Sequence, residues 1–180
     1  MRSAIALAVC FLLSVGTCTL FAEPGNVALL YKNTSPIKVY LGEFKNTSGQ
    51  DAVTPEMLKK EIEKSLLNRR SVRFSVVTNP AESDVQVTGE IKIFKYLEKG
   101  PLKITPSAGG IVLDAAVTMV TNYVELEVAF DVIDTKSGAS VWKDVNNLYD
   151  KKILKREESI PHICDKMARH FVSECFGKGK

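Results

Sequence analysis

Two stretches of this chain alternate apolar and polar residues with the regularity of strands that have one wet side and one dry side. In the first, Val85, Val87, Gly89, Ile91 and Ile93 fall on one side, with Gln86, Thr88, Glu90 and Lys92 on the other. In the second, Val124, Leu126, Val128, Phe130 and Val132 face inward, with Glu125, Glu127 and Asp131 toward water. Side chains on a pleated strand alternate with period two, so each stretch makes a half-buried sheet surface that needs a cover on its apolar side. The cover lies at the C-terminus. From Ser159 onward, Ile160, Ile163, Cys164, Met167, Ala168, Phe171, Val172 and Cys175 recur at helical spacing. His162, Asp165, Lys166, Arg169, His170 and Glu174 occupy the opposite side, which leaves an apolar stripe wide enough to pack on a sheet.

The remaining elements follow from the same periodicities. Ile37, Val39 and Leu41 mark an earlier strand, followed by a loop rich in Asn, Ser, Gly and Asp. Thr54 is placed to cap a helix with Pro55 at its first position and Glu56 at its positive end. Leu58, Ile62 and Leu66, with Met57 and Ser65, form its buried stripe, and the helix should run to about Asn68. A second strand fits residues 71–78, closed by Asn79 and Pro80, and a last one carries Val141 and Trp142 after a turn at 135–138. The expected order is β-α-β-β-β-β-α: an α+β fold with a mostly antiparallel sheet of four to five strands and two helices packed on one face. This domain covers 37–176. A lead segment at 23–36, extended or poorly ordered, precedes it, an apolar insertion interrupts it at 102–122, and a short tail follows at 177–180.

The first 22 residues have the layout of a secretory signal peptide: Arg2, then an apolar run from Ala4 to Val15, then small residues up to Ala22. Cleavage after Ala22 is the plain reading, and lipidation of Cys18 in the bacterial lipoprotein manner is the alternative. Removing 22 of the 180 residues leaves about 158, the size of one domain. The net charge falls from +3 to about +2 with the loss of Arg2, too small a balance for a dedicated nucleic-acid binder. Exported chains often use cysteine pairs as disulfides, but Cys164 and Cys175 fall on one helix about 16 Å apart at 1.5 Å per residue. A disulfide needs its Cα atoms within about 7 Å, so both read as buried apolar groups.

Catalytic and metal-binding patterns are hard to find. His162 and His170 stand about 12 Å apart on their helix, too far to share an ion, and read as surface histidines. Residues 107–110 lack the lysine and the strand-to-helix context of a phosphate loop. No nucleophile, base and oxyanion donors come together in sequence, and neither an enzyme nor a cofactor is expected. Two basic clusters remain, Arg69, Arg70 and Arg73, and Lys151, Lys152, Lys155 and Arg156. They are either solvated faces or contacts for acidic ligands such as anionic lipid and saccharide phosphates.

Three pieces, residues 39–48, 82–94 and 130–142, taken in this order, resemble the LptE-like lipopolysaccharide-assembly proteins and their wider fold relatives, the TolB amino-terminal and CsgG-type domains. In the matched pieces Phe44 and Asn46 should end the first strand, Asp84 should start the long one, and Asp134 and Gly138 should form a turn that leads to a core-anchoring Trp142. The resemblance implies an exported, periplasmic, outer-membrane-associated accessory with no catalytic residue. Its partner would be an outer-membrane β-barrel protein or lipopolysaccharide, with the membrane surface close by. The same relatives imply two alternatives, a homo-oligomeric CsgG-type secretion-channel subunit and a scaffold or activator of an envelope enzyme. The apolar segment 107–122 bears on this choice. It is either a buried helix or arm, or an exposed element that docks through Ile111, Val112, Leu113, Val117, Met119 and Val120.

Overall fold

The computed structural model describes residues 27–102, 119–152 and 156–177. The elements are α1 (Val27–Leu30), β1 (Ile37–Asn46), α2 (Pro55–Leu67), β2 (Phe74–Val77), β3 (Val85–Leu102), β4 (Met119–Asp134), β5 (Ser140–Lys152) and α3 (Arg156–Cys175). The strands form one sheet in the order β2-β1-β3-β4-β5. β1 runs parallel to both β2 and β3, whereas β4 is antiparallel to β3 and to β5. The expected α+β fold, its element order and its two-helix cover are therefore present. The antiparallel ladders are the long ones, but the sheet as a whole is mixed. The cause is α2, which links β1 to β2 as a crossover and so makes that pair parallel.

Local chemistry explains where α2 sits. Thr54 Oγ1 accepts from the Met57 N–H at 3.2 Å, Pro55 opens the helix, and Asn68 closes it. Leu58, Ile62 and Leu66 are fully buried and share one core with Val39, Val85, Val87, Val128 and the inner stripe of α3. Inside that core the Phe171 ring stacks on Phe130 at 4.3 Å and meets Trp142 and Phe176 edge-on at 5.5 and 6.3 Å. Cys164 and Cys175 are buried and free, as their spacing required, and burial pushes the Cys164 thiol up to about 12.

Two register shifts change which residues face the helices. Between Leu41 and Phe44 the pairing of β1 with β3 slips, so Gly42 and Phe44 are buried while Leu41 is only half-buried. Phe44 lies within β1 rather than at its end, opposite Gly89, which in turn pairs with Phe130. A Cβ on Gly89 would come within 2.5 Å of the Phe44 ring, so glycine there lets an aromatic ring lie on the strand. The second slip, between Ile91 and Ile93, turns Phe94 into the core in place of Ile93. A one-residue shift reverses the face of every later side chain.

The lead segment is tied down. Val27 is buried, and Tyr31 donates its hydroxyl proton to Asp134 Oδ1. Asp134 Oδ2 accepts from the Ser137 N–H and hydroxyl at 2.7 and 2.6 Å, and Gly138 takes a φ of 69°, so Asp134 and Gly138 make the expected turn. The Ser137 bonds, followed by the Tyr31 bond, hold the Asp134 carboxyl below its ordinary value. A carboxylate of depressed pKa contributes stability in full above its unfolded pKa, and that contribution is lost as pH falls through the folded value. Asp134→Asn should therefore lower the melting temperature at neutral pH, with the gap to wild type narrowing below about pH 4. Thermal melts across the acid range test this; a gap independent of pH would remove the carboxylate from the explanation.

Candidate interaction face

Both covering helices contribute to the one core, so among the described residues the opposite face of β3, β4 and β5 is open. Its upper part is built by register. Leu97 pairs with Tyr123, Tyr123 with Lys151, and Glu125 with Tyr149. The Tyr123 and Tyr149 rings lie 5.9 Å apart, and Leu97 and Tyr149 are each about half exposed, at 53% and 51%. Below this apolar cluster runs a polar ladder. Lys95 Nζ lies 3.3 Å from Glu125 Oε2, and Asn147 Nδ2 donates to Glu125 Oε1 at 3.5 Å and to Glu127 Oε2 at 3.1 Å. Glu125 was expected in open water but is only 8% exposed, because the longer side chains of the neighbouring strands cover it. Next comes a shallow hollow of about 390 Å³ over Ala129, rimmed by Lys45, Glu90, Lys92, Asp131 and Lys143. Charges of both signs alternate around it, which suits a broad polar contact better than one small ligand.

The helix side shows a further departure from expectation. His162, read as a surface residue, is half-buried, with Nε2 2.9 Å from Asp150 Oδ2 on β5. Lys166 donates to the Tyr149 carbonyl at 3.0 Å, which occupies an acceptor on β5, an edge strand of the sheet. No local sequence signal reports either contact; both arise where α3 crosses the end of β5. Among the described residues there is no group of three or more His, Cys, Asp or Glu side chains placed to hold a metal ion. Nor is any described helix long and apolar enough to cross a membrane.

The structure separates the two basic clusters. Arg69, Arg70 and Arg73 sit at the base of the sheet beside the start of β2, whose Phe74 pairs with Ile37. Lys151 and Lys152 lie at the far end of β5, opposite Tyr123 and Asn122. Arg156 opens α3 with its guanidinium 5.6 Å from the centre of the Tyr96 ring. Arg69 is committed internally, donating to the Val172 and Phe176 carbonyls at 2.7 and 3.4 Å and so closing the C-terminal end of α3. Met119 and Val120 belong to the first turn of the pleat in β4. The remaining docking residues Ile111, Val112, Leu113 and Val117, together with Lys155, Cys18 and the whole leader, lie outside the described residues.

The arrangement defines a class: a two-layer α+β domain that hides one sheet face under two helices. Among solved structures it is similar to the PelC dodecamer from Paraburkholderia phytofirmans, at a TM-score of 0.50 and 11% identity over 79% of this chain and 88% of that one. Other similar structures are a lipoprotein from Neisseria meningitidis (TM-score 0.42, 9% identity, 77% and 99% covered) and a minor lipoprotein from Acinetobacter baumannii (TM-score 0.40, 9% identity, 78% and 91% covered). No family model and no curated protein matches the chain. At such identities the likeness is one of fold alone.

Proposed function

We propose that this chain is an exported, membrane-anchored envelope protein that works by contact rather than by catalysis, as an accessory in outer-membrane assembly or lipopolysaccharide transport beside a β-barrel partner. The observation that carries this reading is the face of β3, β4 and β5 away from the helices, where Leu97 and Tyr149 are half exposed beside the Lys95, Glu125, Glu127 and Asn147 ladder. An apolar cluster rimmed by polar groups is the usual composition of a protein–protein contact surface. The secretory layout of residues 1–22 supports the location.

A second reading has its own support. The similar PelC structure is a dodecamer, which favours a ring of copies of this chain over a one-to-one complex. One experiment addresses both. The full-length protein is extracted from membranes in mild detergent, purified by affinity, and its complexes are weighed and their components identified. A one-to-one complex with a large barrel protein is the expected result, and a ring of this chain alone establishes the second reading. A lone monomer extracted without any companion overturns both.

A further inference from the structure

We infer that the base of the domain, where the chain enters α1, is a docking surface for the anionic face of a lipid bilayer. Lys32, Arg70 and Arg73 are exposed there around an open hollow of about 510 Å³ that Tyr31 and Phe176 also line. None of the three cations lies within ion-pair distance of a carboxylate among the described residues. The acids of this end are already engaged. Asp84 accepts from the Lys38 N–H at 2.9 Å, and Asp134 is held by Tyr31 and Ser137. Among the described residues these cations therefore have no counter-charge, and Arg69 behind them is fixed on carbonyl oxygens.

Beside these charges stand Leu29 and Leu30, 61% and 57% exposed, among the most exposed large apolar residues described. Two leucines next to three unpaired cations match the boundary layer of a bilayer, where phosphates meet acyl chains. The connectivity agrees. Cys18 lies nine positions before Val27, a reach of about 30 Å when fully extended, so a lipid on Cys18 would hold this end of the domain near the membrane. The far end of β5 and the open sheet face would then point away from the bilayer, toward a partner. This inference deepens the membrane-anchored reading above, but it needs neither the partner nor the lipid.

The test uses unlipidated chain 23–180 and vesicles of phosphatidylethanolamine with phosphatidylglycerol, against vesicles of phosphatidylethanolamine with phosphatidylcholine. Cosedimentation should be strong only with the anionic vesicles and should weaken as salt rises. A triple variant, Lys32→Gln with Arg70→Gln and Arg73→Gln, should lower the vesicle partition coefficient about 100-fold. Leu29→Ser with Leu30→Ser should lower it about tenfold while keeping the salt dependence. A control, Lys45→Gln with Lys92→Gln and Lys143→Gln, removes as much charge from the open face and should bind as wild type. All these positions are exposed, so matching melting curves will show that the variants are folded. Equal binding to both vesicle types, an unaffected base variant, or a control that loses as much as the base variant would each overturn the inference. So would tight binding of inorganic phosphate alone, which would mark a free-anion site. Failure here leaves the companion-protein experiment untouched, and the reverse also holds.

Discussion

Phe171→Ala is expected to destabilise the folded domain by about 3–5 kcal/mol, the usual range for removing a fully buried aromatic ring. The geometry places it toward the upper end. The ring has no exposed surface, stacks on Phe130 at 4.3 Å, and meets Trp142 and Phe176 edge-on. It therefore joins α3 to β4, to β5 and to the chain just beyond the helix. Removing it leaves a cavity bounded by three rings that cannot all move inward, since Phe130 is held in β4 and Trp142 in β5. For a domain of this size the change should lower the melting temperature by about 10 °C or more. Phe171→Leu keeps most of the volume and should cost less, because only the ring contacts are lost. Urea titrations followed by circular dichroism give both values. A loss under about 1 kcal/mol for the alanine variant would mean that α3 does not seal the sheet through this residue.

How much of this was legible in the sequence depends on what sets each feature. The strands and helices were, because Val124 to Val132 and Ile163 to Cys175 carry their periods in adjacent residues and both faces are used as the pattern requires. The cap at Thr54 and the turn at Asp134 and Gly138 were legible for the same reason, being local chemistry. The slips at Leu41 and at Ile91 were not. Both strands keep an acceptable alternation on either side of the slip, and only pairing with the neighbouring strand decides which residue is skipped. Tyr31 reaching Asp134 and His162 reaching Asp150 are likewise contacts between distant parts of the chain, visible only once β4, β5 and α3 are placed. The parallel pairing of β1 with β3 belongs to the same group. Hydrophobic spacing shows that a strand exists, and is silent on which strand it lies beside. For the candidate face, Glu125, Glu127 and Asp131 were legible as outward-pointing, but the apolar Leu97, Tyr123 and Tyr149 beside them were not, nor was the near-complete cover of Glu125, since it depends on Lys95 and Asn147 from two other strands.

Replacing residues 103–118 by a four-residue turn containing Asn-Gly is expected to leave the domain folded and to abolish recovery of a partner protein. The structural half of this expectation rests on the pairing of Leu102 with Met119, which are register partners at the end of the long β3–β4 ladder. A tight turn can therefore join them without disturbing the strands. Shortening a connection of 16 residues to about four also reduces the entropy lost on closing it, a gain of about 1 kcal/mol. The functional half tests the proposal that Ile111, Val112, Leu113 and Val117 dock on a partner together with the open sheet face, and the substitution removes all four. Loss of a single central anchor commonly costs about 2 kcal/mol, or about 30-fold in affinity, so removing four should bring recovery of the companion protein below detection. The two halves are measured separately, by thermal melts of the shortened chain and by affinity purification from membranes. A shortened chain that fails to fold would make the segment part of the core and end its role as a docking arm. One that folds and still recovers the companion would transfer the contact to the open face around Leu97, Tyr123 and Tyr149. Tyr149→Asp, at a half-exposed position, would then be the substitution that breaks it.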